Sequence, residues 1–244
     1  KLTKPNKIEF VFAQVNGREL LAKTIFVQDI AAYTFRDRSR PKRDARVGML
    51  PPKLAQTMIN LAIGAAKPDA VNTPTLLDPF CGTGVVLQEA ALMGLSVYGT
   101  DLEPRMIEYS AANLEWLKST HHIDFASKVE VGDATSYRWQ SPIDIVATET
   151  YLGRPFATTP SPAVLTEVMG TCNVILSKFL AGLRGQISAN TGMTIAVPCW
   201  FIHGKTHHLP LIRNLTEMGF EQIFYSDKPT ALIYHREDQV VGRE

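Results

Sequence analysis

The chain is short of cysteine, of net charge and of long apolar runs, and each shortage excludes a class of protein. Three cysteines in 244 residues, Cys81, Cys172 and Cys199, are odd in number and far apart, a poor basis for a disulfide framework or a four-ligand zinc centre. They point to a reducing, cytoplasmic setting, and no metal is expected. Lysine and arginine number 25 against 24 aspartates and glutamates, a net charge of +1, so the chain lacks the basic excess with which proteins hold nucleic acid non-specifically. Any polyanion has to meet a local patch. No apolar run reaches membrane-spanning length, so no membrane partner is expected. The opening Lys1-Leu2-Thr3-Lys4-Pro5 has neither an initiator Met nor a signal-peptide core, and it reads as the start of a piece trimmed from a longer protein.

Apolar residues are plentiful, at 45%, enough for one sizeable core with a small appendage but not for two full domains. Ile8 to Val27 alternates apolar and polar residues around Asn16-Gly17, which predicts a tight β-hairpin. Next, Arg36, Arg38, Arg40, Lys42, Arg43 and Arg46 stand against only Asp37 and Asp44, with Pro41 among them. That composition argues against a helix or core strand and offers either a solvated linker or a set of phosphate contacts. A helix is predicted from about Pro51 through Leu54, Met58, Leu61 and Ala62. The expected division is therefore a hairpin and basic linker over 1–47 and a main domain over 48–244.

From Thr75 onward, short β-rich runs (Thr75–Pro79, Ser96–Asp101, Lys128–Asp133, Ile143–Thr148, Met193–Cys199) alternate with helical stretches (Val85–Met93, Pro104–Lys118, Ser161–Leu183, Leu209–Met218). Such alternation predicts an α/β, Rossmann-like, doubly wound sheet. Glu221–Tyr225 and Ala231–His235 are separated only by the turn Ser226-Asp227-Lys228-Pro229, so they should pair antiparallel. A mostly parallel seven-stranded sheet with one antiparallel strand results.

In an open α/β sheet the ligand crevice lies at the carboxyl ends of the strands. The first of these strands runs into Asp78-Pro79-Phe80-Cys81-Gly82-Thr83-Gly84 and then directly into a helix. Glycines let the backbone approach a ligand, and the helix start offers free N–H groups. The second strand ends at Asp101-Leu102, where a carboxylate can accept ribose hydroxyls. The third ends at Asp133-Ala134, where one can accept from an adenine amino group. A Gly-Thr-Gly turn alone describes any tight strand-to-helix connection, but three strand-end acids in succession point to an adenosine-type cofactor. A nicotinamide dinucleotide fits less well, because Leu87 holds the third glycine position and Asp78 would meet the pyrophosphate. S-adenosylmethionine, carrying an ammonium and a sulfonium, suits these acids better.

Arg40-Pro41, Gly48-Met49-Leu50-Pro51-Pro52-Lys53-Leu54-Ala55, Asn60-Leu61-Ala62, Leu77 to Gly84 and, weakly, Met218-Gly219-Phe220 resemble the THUMP-class tRNA guanine-N2 methyltransferases that modify position ten. The likeness runs over nearly the whole chain from about Ile8. It implies a class I methyltransferase fold, S-adenosylmethionine, a tRNA partner and a segment around Met49 and Pro51 that closes over the methionine end of the cofactor. It also implies an N-terminal RNA-binding THUMP region that trimming has removed. The family carries an acid or Asn, two prolines and an aromatic residue after the fourth strand, whereas this chain has Glu149-Thr150-Tyr151-Leu152-Gly153-Arg154-Pro155. Glu149 can still accept from an exocyclic amine and Tyr151 can still stack on a base. A DNA adenine or cytosine amino-methyltransferase, or a non-catalytic binding subunit, stands as the alternative. His203, His207 and His208, with Cys199, read as loop residues rather than ligands, and Trp139 as packing or a cofactor border.

Overall fold

A computed structural model describes residues 8–44, 50–66, 73–140, 142–156, 158–224, 233 and 240–244. The chain divides into two compact units, Lys1–Ser39 and Arg40–Glu244. In the first, β1 (Phe10–Val15) and β2 (Arg18–Lys23) form the expected hairpin. Val15 pairs with Arg18 across Asn16 and Gly17, whose φ angles of 50° and 75° are the left-handed pair a two-residue type I′ turn requires. Then comes α1 (Ile30–Ser39), opened by Asp29, whose Oδ1 accepts from the Ala32 N–H at 3.0 Å. Arg36 and Arg38 lie on this helix and not in an extended linker, which corrects the expectation. Pro41 follows the helix end instead of interrupting it, and Arg36, three residues on from Tyr33, lies 4.6 Å over that ring.

The larger unit begins with residues 40–44, where the expected basic patch is only partly a surface. Arg40 is 3% exposed, so its assignment as a phosphate contact is withdrawn, and Asp44 pairs with Arg105 at 2.9 Å. Lys42 exchanges two backbone bonds of 2.9 Å with the Asn113 side chain. Lys42 and Arg43 are exposed, and Arg46 lies outside the described residues. This segment packs with the larger unit instead of linking to it.

Helix α2 (Pro52–Ala65) starts with proline in its first turn, where no N–H is needed, and buries Ala55, Met58, Ile59 and Ala62 at helical spacing. The alternation then runs β3 (Thr75–Asp78), α3 (Val85–Leu92), β4 (Ser96–Asp101), α4 (Pro104–His121), β5 (Ser127–Val131), β6 (Ile145–Glu149), α5 (Pro162–Arg184) and β7 (Gly192–Ala196). These five strands pair in parallel in the order β5-β4-β3-β6-β7. Successive residues serve opposite layers, as a pleated strand dictates. Leu76 packs with Ile59, Ala62, Leu87 and Leu117 on one face, and Leu77 with Leu176, Phe179 and Leu183 on the other. Helix α5, although interrupted by Glu167, Asn173 and Lys178, is long and apolar enough, by length and composition alone, to cross a membrane, a test that core helices also pass. Its face Leu165, Val168, Cys172, Leu176, Phe179, Leu180 and Leu183 is nevertheless buried in this core.

Beyond β7 the sequence misleads. The continuous apolar run Met193–Cys199 is divided between β7 and a separate strand, β8 (Pro198–Ile202), which pairs with β9 (Lys205–His207) and β10 (Val241–Arg243) in an antiparallel sheet ordered β10-β8-β9. Pro198 cannot donate and takes the first position of its strand. His203 and Gly204, with φ of 49° and 74°, make the turn into β9. The helix expected over Leu209–Met218 is only a 3-10 turn, Pro210–Asn214. Residues 221–224 hold no strand, and Ala231–His235 lies, Ile233 apart, outside the described residues. Among the described residues the parallel sheet therefore has five strands, where seven in a mostly parallel sheet were expected.

Candidate functional site

From β3 the chain winds outward through β4 to β5, then returns across to β6 on the other side of β3. Loops leaving β3 and β6 diverge at that switch and open a crevice at the carboxyl ends of the strands. A cavity of about 780 Å³ lies there. Asp78, Phe80, Cys81, Gly82 and Thr83 line it from the β3 loop, Asp101 and Leu102 from β4, and Asp133 and Ala134 from the loop after β5. Glu149 and Tyr151 line it from β6 and its loop. Gly84 and Pro51 do not; Leu50, 5% exposed, takes the place expected of its neighbours, and Met49 lies outside the described residues.

The β3 loop is held by its own backbone, by β4 and by α4. Cys81 N–H donates to the Thr100 carbonyl at 2.9 Å and Gly84 N–H to the Cys81 carbonyl at 2.8 Å. Ser110 donates to the Gly82 carbonyl at 2.9 Å and Asn113 to the Thr83 carbonyl at 2.8 Å. The one side chain of Asn113 thus ties the loop to Lys42. Gly84 has φ +79°, and a Cβ on it would stand 2.8 Å from Ser110 Oγ and 3.3 Å from Ser110 Cα. Gly84→Ala is expected to cost about 1–3 kcal/mol of stability through strain and crowding together, read from the urea unfolding midpoint. A Cβ on Gly82, which also lines the cavity, would have no protein atom within 4 Å.

Four carboxylates face this space with different partners. Asp78 is buried, and its Oδ1 accepts from Thr148 Oγ1 at 2.6 Å and the Phe80 N–H at 3.2 Å. Oδ2 has no protein partner among the described residues. Burial raises the Asp78 pKa from 3.8 to about 7, against the lowering effect of those two bonds. Asp101 accepts from the Gly82 N–H at 2.9 Å and the Glu103 N–H at 3.0 Å, and burial raises its pKa as well. Asp133 accepts from Thr135 N–H at 2.9 Å and Thr135 Oγ1 at 2.7 Å, both on Oδ1. Glu149 closes β6, and its Oε1 accepts from Arg243 Nε on β10. Its Oε2 has no protein partner among the described residues. Burial raises its pKa and Arg243 opposes the rise. Burial also pushes the Cys81 thiol well up, so this cysteine packs and is no thiolate nucleophile.

Arg243 could not be found from the sequence. It stands 94 positions from Glu149, and no local pattern joins them. Thr148 and Asn113 were equally hidden. Trp139 packs at 8% exposure and donates Nε1–H to Thr100 Oγ1 at 3.3 Å. His208 Nδ1 lies 2.5 Å from Glu244 Oε2, each one residue past the end of a strand in the antiparallel sheet.

Residues 40–172, more than half of the chain, match the family UPF0020, described as RMKL-like, methyltransferase domain. The chain belongs to this family. The match covers β3, β4, β5 and β6 with every acid of the cavity. A tRNA (guanine(10)-N2)-dimethyltransferase of Pyrococcus abyssi is 36% identical over 142 residues, 58% of this chain and 38% of that protein. One of Methanothermobacter thermautotrophicus is 40% identical over 102 residues, 42% of this chain and 27% of that protein. The matched stretches thus span less than half the length of either relative. Among solved structures, TrmN from Thermus thermophilus is similar at 15% identity with a TM-score of 0.48, covering 100% of this chain and 60% of that one.

The cavity fits the methyl donor of this fold class, S-adenosylmethionine. An open carboxylate oxygen on Asp78 in a buried pocket is matched to a cation, Asp101 and Asp133 offer acceptors at successive strand ends, and the side-chain-free space over Gly82 leaves room for the ligand.

Proposed function

We propose that this chain transfers a methyl group from S-adenosylmethionine to the exocyclic amine of a guanine in tRNA, position ten being the site named for the relatives it resembles. One observation carries the assignment of the reacting end. Glu149 keeps Oε1 on Arg243 and leaves Oε2 without a protein partner on the cavity wall beside Tyr151. When bound, the cofactor supplies a sulfonium-activated methyl group.

The work of the chain is then binding and orientation. Asp78 offers its open oxygen to the ammonium, while Asp101 and Asp133 receive hydroxyl and amino donors of the adenosine. Tyr151, exposed at the mouth, offers its ring to a base turned out of its helix. Glu149 Oε2 accepts one N–H of the guanine amine, so that the nitrogen lone pair is turned away from the carboxylate and toward the methyl group. With the methyl passing from sulfur to nitrogen, the methyl–sulfur bond breaking as the new bond forms, the Glu149 carboxylate would offset the positive character on nitrogen and take the proton that the amine then loses. Positioning supplies most of the acceleration. With a net charge of +1, the chain has little with which to grip RNA non-specifically, so we assign part of the RNA affinity to a further N-terminal RNA-binding domain.

The experiment is methyl transfer to two tRNA transcripts that differ only at position ten, one with guanosine and one with inosine, which lacks the exocyclic amine. Transfer to the first alone is expected; equal transfer to both would refute the assignment. Arg243 has its own signature. Removing its charge in Arg243→Met leaves the burial of Glu149 unopposed, so the Glu149 pKa rises further. The acidic limb of the pH–rate profile should move to higher pH, with rate recovering in alkaline buffer, which a merely misfolded variant would not do.

A further inference from the structure

Two cations on the cavity wall have no part in the cofactor chemistry. Arg154 lies in the loop after β6 and Lys178 on α5, and both line the cavity with exposed side chains. Neither is paired with any of the four acids described above; the ion-pair partner of Glu149 is Arg243. Among the described residues neither has an ion-pair partner at all. Charges that neutralise a protein's own acids sit against those acids, and these do not.

Both reach the cavity from the side formed by the loop after β6 and by α5. Gly153 has φ +85°, and a Cβ there would stand 2.6 Å from Val168 Cγ1 on α5. The chain therefore passes close against α5 at Val168 and Cys172, a conformation that favours glycine, and the next residue, Arg154, lines the cavity to which α5 also contributes. On that helix the buried stripe runs through Cys172, Leu176 and Phe179. Val174 and Lys178, four residues apart and so on one face, both line the cavity instead. Val174 is 51% and Tyr151 45% exposed, giving a mouth with an aromatic ring, an apolar surface and two cations. That is the composition of a nucleotide site, with faces for a base and charge for a phosphate.

We propose that Arg154 and Lys178 form a phosphate subsite that takes the backbone phosphate of the nucleotide whose base is held at Tyr151 and Glu149. The inference rests on the nucleobase reading above and adds the residues that recognise the acceptor as a nucleotide.

Titration of guanosine and of guanosine 5′-monophosphate into the chain saturated with S-adenosylhomocysteine tests it. The monophosphate should bind about tenfold or more tighter than guanosine, the size expected for charge-assisted contacts to one phosphate. The double variant Arg154→Ala/Lys178→Ala should lose that preference while holding guanosine and S-adenosylhomocysteine as before. Lys118→Ala/Arg213→Ala, which removes as much charge outside the cavity, should keep it. Equal binding of the two ligands by the unaltered chain, or a preference that survives the double variant, overturns the subsite and leaves the nucleobase reading intact. Failure of both ligands to bind overturns that reading and the subsite with it.

Discussion

Glu149→Gln is expected to lower methyl-transfer turnover about 10²-fold, the scale of removing one electrostatic stabiliser from a transition state, with S-adenosylhomocysteine affinity unchanged. The two oxygens of Glu149 have different tasks: Oε1 accepts from Arg243 and Oε2 is open on the cavity wall. Glutamine has one oxygen and one NH2. If its oxygen stays with the guanidinium, the NH2 faces the amine of the base, donor against donor; if it turns to the base, the NH2 faces Arg243. One acceptor is missing in either rotamer, and the charge that offsets the developing ammonium is gone. An unchanged unfolding midpoint would show that the loss is catalytic. Full turnover in the Gln variant would reduce Glu149 to a structural partner of Arg243.

The second large effect is a pH dependence of cofactor binding. In the empty chain burial holds the Asp78 pKa at about 7, well above its ordinary 3.8. Below about pH 7 this carboxyl carries a proton that must leave before a cationic ligand can pair with it. S-adenosylmethionine affinity should therefore fall toward tenfold per pH unit below about 7 and level off above it. Methylthioadenosine, which lacks the ammonium, should show no such slope. Asp78→Asn should flatten the profile, and a slope retained in that variant would place the titrating group elsewhere. Stability follows the same linkage with its own sign. The raised pKa means that the empty folded chain binds more protons than the unfolded chain between about pH 4 and 7, so stability falls as pH rises through that window and is level above it.

The parts of the site legible in the sequence are those that local order fixes. Asp78, Asp101 and Glu149 each end a strand and Asp133 follows one closely, and a doubly wound sheet brings such ends together whatever the details of packing. The hairpin was legible for the same reason, since Asn16-Gly17 specifies its turn. What failed was tertiary. A run of ten residues from Met193 to Ile202 is apolar almost throughout, so nothing in its periodicity marks where β7 yields to β8. Arg40 looks like surface by composition and is buried, because Asn113 and Arg105 dock the flanking residues Lys42 and Asp44 onto α4. Arg243 reaches Glu149 through tertiary pairing, β10 lying antiparallel to β8 and Glu244 exchanging backbone bonds with Val197.

The central claim is that the acids at the switch of the sheet serve methylation of a guanine amine, and the nucleoside formed tests it most directly. The chain is incubated with S-adenosylmethionine and an unmodified tRNA transcript, the RNA is digested to nucleosides, and the methylated products are separated by mass spectrometry. N2-methylguanosine, formed by the unaltered chain and strongly reduced with Glu149→Gln, is the expected product. Methylated adenosine or cytidine in its place, or no methylated nucleoside at all, would contradict the account.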